Sequence, residues 1–433
     1  MGNGVHPWTT AKQTFWQGVA RAYTKHYGAD PRFVETEPVA HLAHYLIGES
    51  GFPNYGDELI TREWVKYLAQ IDPDSPVVLD CVCSGPSAAI LYGLHPNLSV
   101  VDTIAQLCIV DRDALWHEEF DAPATQIEEI PAARIAQRME MQLDDEGQAP
   151  RYAAGIRLLN TRIRDLHIIG GGYMNSRWNA NLARLAGAAW AQRHGKPAMV
   201  TGIGLEPLES QDIDFVRNTA RNIASFSCRD VRSRDAIDSG HEYTFLAPDD
   251  CFVNGLEGVY TSEEAALPDV MVCVQLDLVA DPQALIRHVI HVLDSWGVST
   301  GTRIGVVECI PRDSVQAMGE LHKHGFEPVL FALQDMLDSG FPARAGQRWI
   351  STRYHPHLLA AARGCSGIFI PVKPGYYDVK HEAVLRMGSR WTCTAIGDRQ
   401  IPAPGPGFAD PSMRFIYRDQ IRAQVAPWYG ATS

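Results

Sequence analysis

The chain has 433 residues, 45% hydrophobic and 21% charged, enough for two or three globular domains with sizeable cores. A net charge of −13 disfavours a general binder of nucleic acid or anionic membranes, which needs a basic surface. A small anionic substrate stays compatible, because a local cluster of cations can sit in an acidic protein.

Nine cysteines are scattered, with only Cys81 and Cys83 close, as C-x-C. That usage fits free thiols in a reducing cytosol. The N-terminus lacks a basic region followed by an apolar run, so no signal peptide is expected. No apolar stretch approaches the roughly 18 residues that span a bilayer. A cytoplasmic protein without a transmembrane segment is the expectation; association into a homo-oligomer is left open.

Residues 1–40 read as an extension with a helix, Thr10 to Tyr27, whose Phe15, Val19, Ala20 and Tyr23 keep helical spacing. A strand over Tyr45–Ser50 leads into the turn-rich loop Gly51–Glu58. A helix then opens near Asp57, with Leu59, Ile60, Glu63, Trp64, Tyr67 and Leu68 on one face. Val77–Cys83 is a continuous apolar strand, as in a parallel sheet covered on both faces. Gly85-Pro86-Ser87 is a turn, and residues 100–112 read as one or two strands. Residues 121–150, with Asp144-Asp145-Glu146, read as a solvated helix and loop, an insertion rather than a site.

Asp165–Asn175 runs from a strand into Gly170-Gly171-Gly172, and a helix follows from about Asn179. Three glycines at a strand's end imply close approach by a ligand or by backbone. This is not G-x-G-x-x-G, so no dinucleotide fingerprint is read. Ala198–Pro207 repeats strand and glycine loop, and Ser225–Asp230 ends in Arg229-Asp230. Further strands are expected at Val270–Leu278, Arg303–Cys309, Pro328–Ala332, Trp349–Arg353 and Gly367–Val372, with helices between. These boundaries give four parts. Residues 1–40 are a helical extension, 41–256 and 257–410 are α/β domains, and 411–433 is a helical tail. The two α/β sheets would face a cleft at their strand C-terminal ends.

At Trp349–His357 the strand ends in a polar cluster. Arg353 and His355, two apart on a strand, would face one point. The bland alternative is an arginine paired with a surface carboxylate and a histidine satisfied in a turn. His355-x-His357 has Pro356 between and no third ligand nearby, so no metal is expected.

Four landmarks, in order, resemble the polysaccharide pyruvyl transferase family across about residues 42–390. They are Asn54-Tyr55-Gly56-Asp57-Glu58; Gly170-Gly171-Gly172 with Gly202-Ile203-Gly204 downstream; Cys228-Arg229-Asp230 with Ala247-Pro248-Asp249; and Arg353-Tyr354-His355 with Tyr377-Asp378-Val379-Lys380. At Leu205-Glu206-Pro207 the chain departs from relatives, which often place Gly before the Pro. The resemblance implies an α/β, GT-B-like fold: two Rossmann-type parallel-sheet domains facing an interdomain cleft. It implies transfer of pyruvate from phosphoenolpyruvate onto two sugar hydroxyls as a ketal, releasing phosphate, with no cofactor. The acceptor would be a glycan or its lipid-linked or nucleotide-linked precursor.

On this reading Arg229 and Arg353 would clamp the donor's carboxylate and phosphate, and Lys380 would add a point charge. Gly171 and Gly172 would border the donor; Asn54, Gly202 and Gly204 would lie on the acceptor side or in the cleft. His355 is the expected acid and later base, and Asp57 either deprotonates a hydroxyl or caps its helix. Two alternatives stand beside it: a GT-B-type glycosyltransferase using a nucleotide sugar, and a non-catalytic anion-binding homologue.

Overall fold

Two sheets of parallel strands, most of them rich in apolar residues, organise the chain. The computed structural model describes residues 41–120, 130–237, 244–262, 266–276, 279–373 and 375–429. The helix expected at Thr10–Tyr27 lies outside these residues. The first sheet holds β1 (Ala43–Ile47), β2 (Val77–Asp80), β3 (Leu98–Val101), β4 (Ile163–Ile168), β5 (Ala198–Ile203), β6 (Ser225–Cys228) and β7 (Thr244–Leu246). The second holds β8 (Val270–Cys273), β9 (Arg303–Val307), β10 (Glu327–Phe331), β11 (Arg348–Ser351), β12 (Ser366–Phe369) and β13 (Thr392–Cys393). Their orders are β3-β2-β1-β4-β5-β6-β7 and β10-β9-β8-β11-β12-β13.

Both sheets therefore run outward from a central pair, in the doubly wound pattern of a Rossmann sheet. The order reverses between β1 and β4 in one, and between β8 and β11 in the other. At such a reversal the loops leave in opposite directions and open a crevice beyond the strand ends. The expected GT-B-like arrangement of two Rossmann-type parallel sheets is the one observed.

Every residue of β1, β2, β5, β6 and β8 is buried, because helices cover both faces. One apolar cluster joins Leu46, Trp64 and Met199 of the first half to Met271, Trp349 and Leu358 of the second. Helix Tyr55–Ile71 supplies Leu59, Ile60, Trp64 and Leu68 to it. Truncating a buried tryptophan such as Trp64 costs about 3–5 kcal/mol. Its indole Nε1 also donates to Asp250 Oδ2 at 2.8 Å. The C-terminal helix, Met413–Tyr429, returns to the first sheet, where Tyr429 Oη lies 2.9 Å from His167 Nδ1.

Several sequence expectations are corrected. Residues 100–112 are not one or two strands: β3 ends at Val101 and a helix runs Thr103–Phe120. Asp80, at the end of β2, accepts from the N–H groups of Ile104 and Ala105 at 2.6 and 3.1 Å. A carboxylate from another strand thus satisfies that helix start. Gly85-Pro86-Ser87 is not a turn but part of helix Ser84–Ile90. In the segment read as a solvated insertion, helix Ala132–Asp144 buries Ile135, Ala136, Met139 and Leu143. Its charges form only the outer face. Finally, β11 stops at Ser351, where the Ser351 hydroxyl donates to the Arg353 carbonyl at 2.9 Å.

Candidate active site

A cavity of about 370 Å³ opens at the strand C-terminal ends of both sheets. The segment after β1 brings Glu49, Asn54 and Asp57, and that after β4 brings Gly172 and Trp178. Arg229 follows β6, Cys309 follows β9, Arg353 and His355 follow β11, and Tyr376 and Lys380 follow β12. The loops next to both order reversals therefore meet in one space, as the topology requires.

Arg229 is buried, and its Nη1 donates to Asp249 Oδ2 at 2.8 Å. Its guanidinium lies over the Tyr354 ring, 4.3 Å from the centroid. Asp249 Oδ1 is 3.4 Å from His355 Nε2. One carboxylate of the first half thus serves an arginine of its own half and a histidine of the other. Burial alone would raise the Asp249 carboxyl, but His355 and Arg229 outweigh it and hold it well below the usual carboxylate range. The next residue, Asp250, turns the other way and accepts from the Gly170 N–H at 2.7 Å and from Thr201 Oγ1. It fastens the glycine loop to the core.

Arg353 and His355 do share the cavity, but not as neighbours on a strand. Arg353 has extended backbone and is the N-cap residue of helix Tyr354–Ala362; His355 lies in that helix's first turn. The Arg353 guanidinium donates to the Asp313 carboxylate. The His355 ring presses so closely on Gly56 that a methyl group there would overlap Nδ1.

Asn54 caps helix Tyr55–Ile71: its Oδ1 accepts from the Gly56 N–H at 3.3 Å, and its Nδ2 donates to Asp57 Oδ2 at 2.7 Å. The cap is therefore Asn54, which leaves Asp57 on the cavity wall. Burial pushes the Asp57 carboxyl up to about 7; Glu49 adds to the shift, while His355, Arg229 and Lys380 oppose it. Lys380 behaves in mirror image. Burial, followed by the like charge of Arg229, pulls its amine down to about 7, with Asp57 working against them. Its Nζ lies over the Tyr376 ring, 3.8 Å from the centroid.

Gly172 lines the cavity, and a Cβ there would sit 2.6 Å from Arg229 Nη2. Gly171 borders Asp57, whose Oδ1 would lie 3.3 Å from a Cβ. Gly202 and Gly204 are not brought to the cavity. Gly202 packs on Asp250 and Gly204 behind the Arg229 guanidinium, so they make room for those side chains. His357 turns inward, 2.9 Å from His381 Nδ1 and 2.8 Å from Ser389 Oγ. Burial pulls both imidazoles down, His381 to about 3. The two histidines of His355-Pro356-His357 thus diverge. Among the described residues no cluster of three or more His, Cys, Asp or Glu is placed to hold a metal.

Sequence reasoning assigned no role to Asp249, although Ala247-Pro248-Asp249 marked its position. Asp313 left no signal, lying 40 residues before the arginine it holds. Tyr376 could have been found from its place beside Tyr377-Asp378-Val379-Lys380.

A buried, cation-lined cavity thus lies where the two Rossmann-type sheets of a GT-B-like fold meet, a usual place for a ligand site. The model of the polysaccharide pyruvyl transferase family matches residues 54–304, more than half of the chain. The protein belongs to that family. The matched segment includes Asp57, Gly172, Arg229 and Asp249; Arg353, His355 and Lys380 lie beyond it. No match was found among curated proteins.

Among solved structures, the chain is similar to the UDP-GlcNAc 2-epimerase from Neisseria meningitidis bound to UDP-GlcNAc, at 8% identity and a TM-score of 0.45. The match covers 90% of this chain and 93% of that one. It is also similar to Methanocaldococcus jannaschii UDP-GlcNAc 2-epimerase, at 10% identity and a TM-score of 0.44, covering 87% and 99% of the two chains. For Acinetobacter baumannii MurG the values are 10% identity, a TM-score of 0.45, and 90% and 93% coverage.

Proposed function

We propose that this protein transfers the pyruvyl group of phosphoenolpyruvate to two hydroxyls of a sugar, forming a ketal and releasing phosphate. The observation that carries the reading is the meeting of Arg229, Arg353 and Lys380 with His355 and Asp57 in one cavity. A donor with a carboxylate and a phosphate presents the two anionic groups that arginine and lysine side chains recognise.

In the reaction, His355 delivers a proton to the methylene carbon of the donor. The carbon bearing the phosphate oxygen becomes oxocarbenium-like, and a sugar hydroxyl attacks it while Asp57 accepts the hydroxyl proton. The bond to phosphate breaks, and the leaving phosphate carries away the electron pair. The second hydroxyl closes the ketal. Of the two hydroxyl protons, one replaces that given to the methyl group and the other leaves with phosphate. Arg229, Arg353 and Lys380 hold the anionic groups throughout, as preorganised charges in a poorly solvated site.

Phosphate release from phosphoenolpyruvate, assayed with a panel of glycosides, tests the reading. Turnover with at least one acceptor is expected, with donor binding measurable by calorimetry. Absence of both, or thermal stabilisation by UDP or GDP but not by phosphoenolpyruvate, would overturn it in favour of a nucleotide-sugar enzyme.

A further inference from the structure

Several residues that line the cavity have no part in the donor chemistry. Trp178 and Phe52 line it and remain 38% and 63% exposed. Glu49 and Asn181 line it as well. Behind them Arg184 is fully buried, its Nη1 donating to Glu49 Oε2 at 2.8 Å and its Nη2 to Asn181 Oδ1. Desolvation strongly penalises a buried guanidinium unless it is paired. Here it fixes two side chains that face the cavity. Glu49 Oε1 accepts no hydrogen bond from the described residues. Asn181 spends one amide hydrogen on the Tyr173 carbonyl at 3.3 Å and keeps the other. The structure thus holds ready an acceptor, a donor and an aromatic platform.

We infer that Trp178, Glu49 and Asn181 form a subsite for a neutral hexopyranoside ring, the sugar acceptor of the transfer proposed above. One face of a pyranose carries several C–H bonds of partial positive charge, which suit the negative face of an indole. Arg177 lies over one face of Trp178, 6.0 Å from the ring centroid, and steadies its plane. Sugar hydroxyls both donate and accept, matching Glu49 and Asn181 together. At this position an anionic sugar would bring its carboxylate against Glu49. The subsite also puts the sugar beside the base that the transfer needs, since Glu49 is close enough to Asp57 to influence its carboxyl. Arg184 is a positioning residue.

The inference rests on the transfer reading only for naming the sugar an acceptor; the binding claim stands by itself. Saturation-transfer NMR on the full chain, with methyl glucoside, galactoside and mannoside titrated separately, tests it. At least one neutral glycoside should bind through protons of one ring face. In Trp178→Ala its Kd should rise about tenfold, the scale of a lost aromatic contact. Glu49→Gln should weaken the same glycoside and admit a hexuronate that wild type rejects. Phosphoenolpyruvate affinity, by calorimetry, should be unchanged in Trp178→Ala. Four results would each overturn the subsite: no neutral glycoside binds, a hexuronate or UMP binds wild type better, Trp178→Ala binds normally, or that variant loses sugar and donor together. If wild type binds the glycoside but not phosphoenolpyruvate, the transfer reading fails and the sugar subsite survives.

Discussion

The two walls of the cavity carry opposite chemistry. The first sheet's loops bring the carboxylates Glu49 and Asp57, and their one arginine, Arg229, is matched by Asp249. The second sheet's loops bring Arg353, His355 and Lys380. Yet Asp57 and Lys380, of opposite charge and on opposite walls, are both displaced to about 7. Burial penalises whichever form is charged, so it raises the acid and lowers the amine. The comparison teaches that sign is set by the wall and readiness to exchange a proton by the depth.

The largest effect expected from disturbing this contrast is kinetic. His355→Gln should lower turnover by roughly 10²–10⁴-fold, the scale of a lost acid–base group, while donor affinity by calorimetry stays nearly intact. A melting temperature that falls with no change in turnover would remove His355 from the chemistry.

Next come the two arginines, which should fail differently. Arg229→Ala leaves Asp249 buried without its guanidinium partner, and breaking such a pair costs about 3–5 kcal/mol of stability. Arg353→Ala removes one guanidinium from the partly exposed Asp313, so its loss should appear in donor binding, at about 1.5–3 kcal/mol for hydrogen bonds to a charged group. Equal melting temperatures for the two variants would show that the walls are not so distinguished.

The smallest effect is a displacement along the pH axis. In the proposed transfer Asp57 would serve as a base only when ionised, above about 7, and Lys380 would hold an anion only when charged, below about 7. The rate at low substrate should therefore be bell-shaped with both limbs near 7. Asp57→Asn should abolish the acidic limb. It also removes a charge that favours the ammonium, so donor affinity should fall off at lower pH than in wild type. An unmoved alkaline limb would separate the two groups. Stability follows from the same shifts. Raised from 3.8 to about 7, Asp57 weakens the fold progressively as pH climbs through that interval. Lys380, lowered from 10.5 to about 7, weakens it fully below about 7, with relief as pH rises toward 10.5.

Much of this was legible wherever local pattern decides structure. Val77–Leu79 and Val270–Cys273 are continuous apolar runs, as strands covered on both faces require. Gly172 was legible because close approach demands glycine, although the neighbour it accommodates is the Arg229 side chain. Legibility stopped where the deciding partner is remote in sequence. The helix at Thr103 depends on Asp80, and the setting of Arg353 depends on Asp313. Arg353 and His355 were brought together for the wrong geometric reason: a helix start, not a pleat, aims them. Gly202 and Gly204 showed that glycines can be spent on fitting side chains as readily as on ligands.

Asp249 has a mechanical consequence. Its carboxylate touches Arg229 on one side of the cleft and His355 on the other, so it works as a clasp between the halves. Any motion that parts the two walls must draw His355 away from a buried anion.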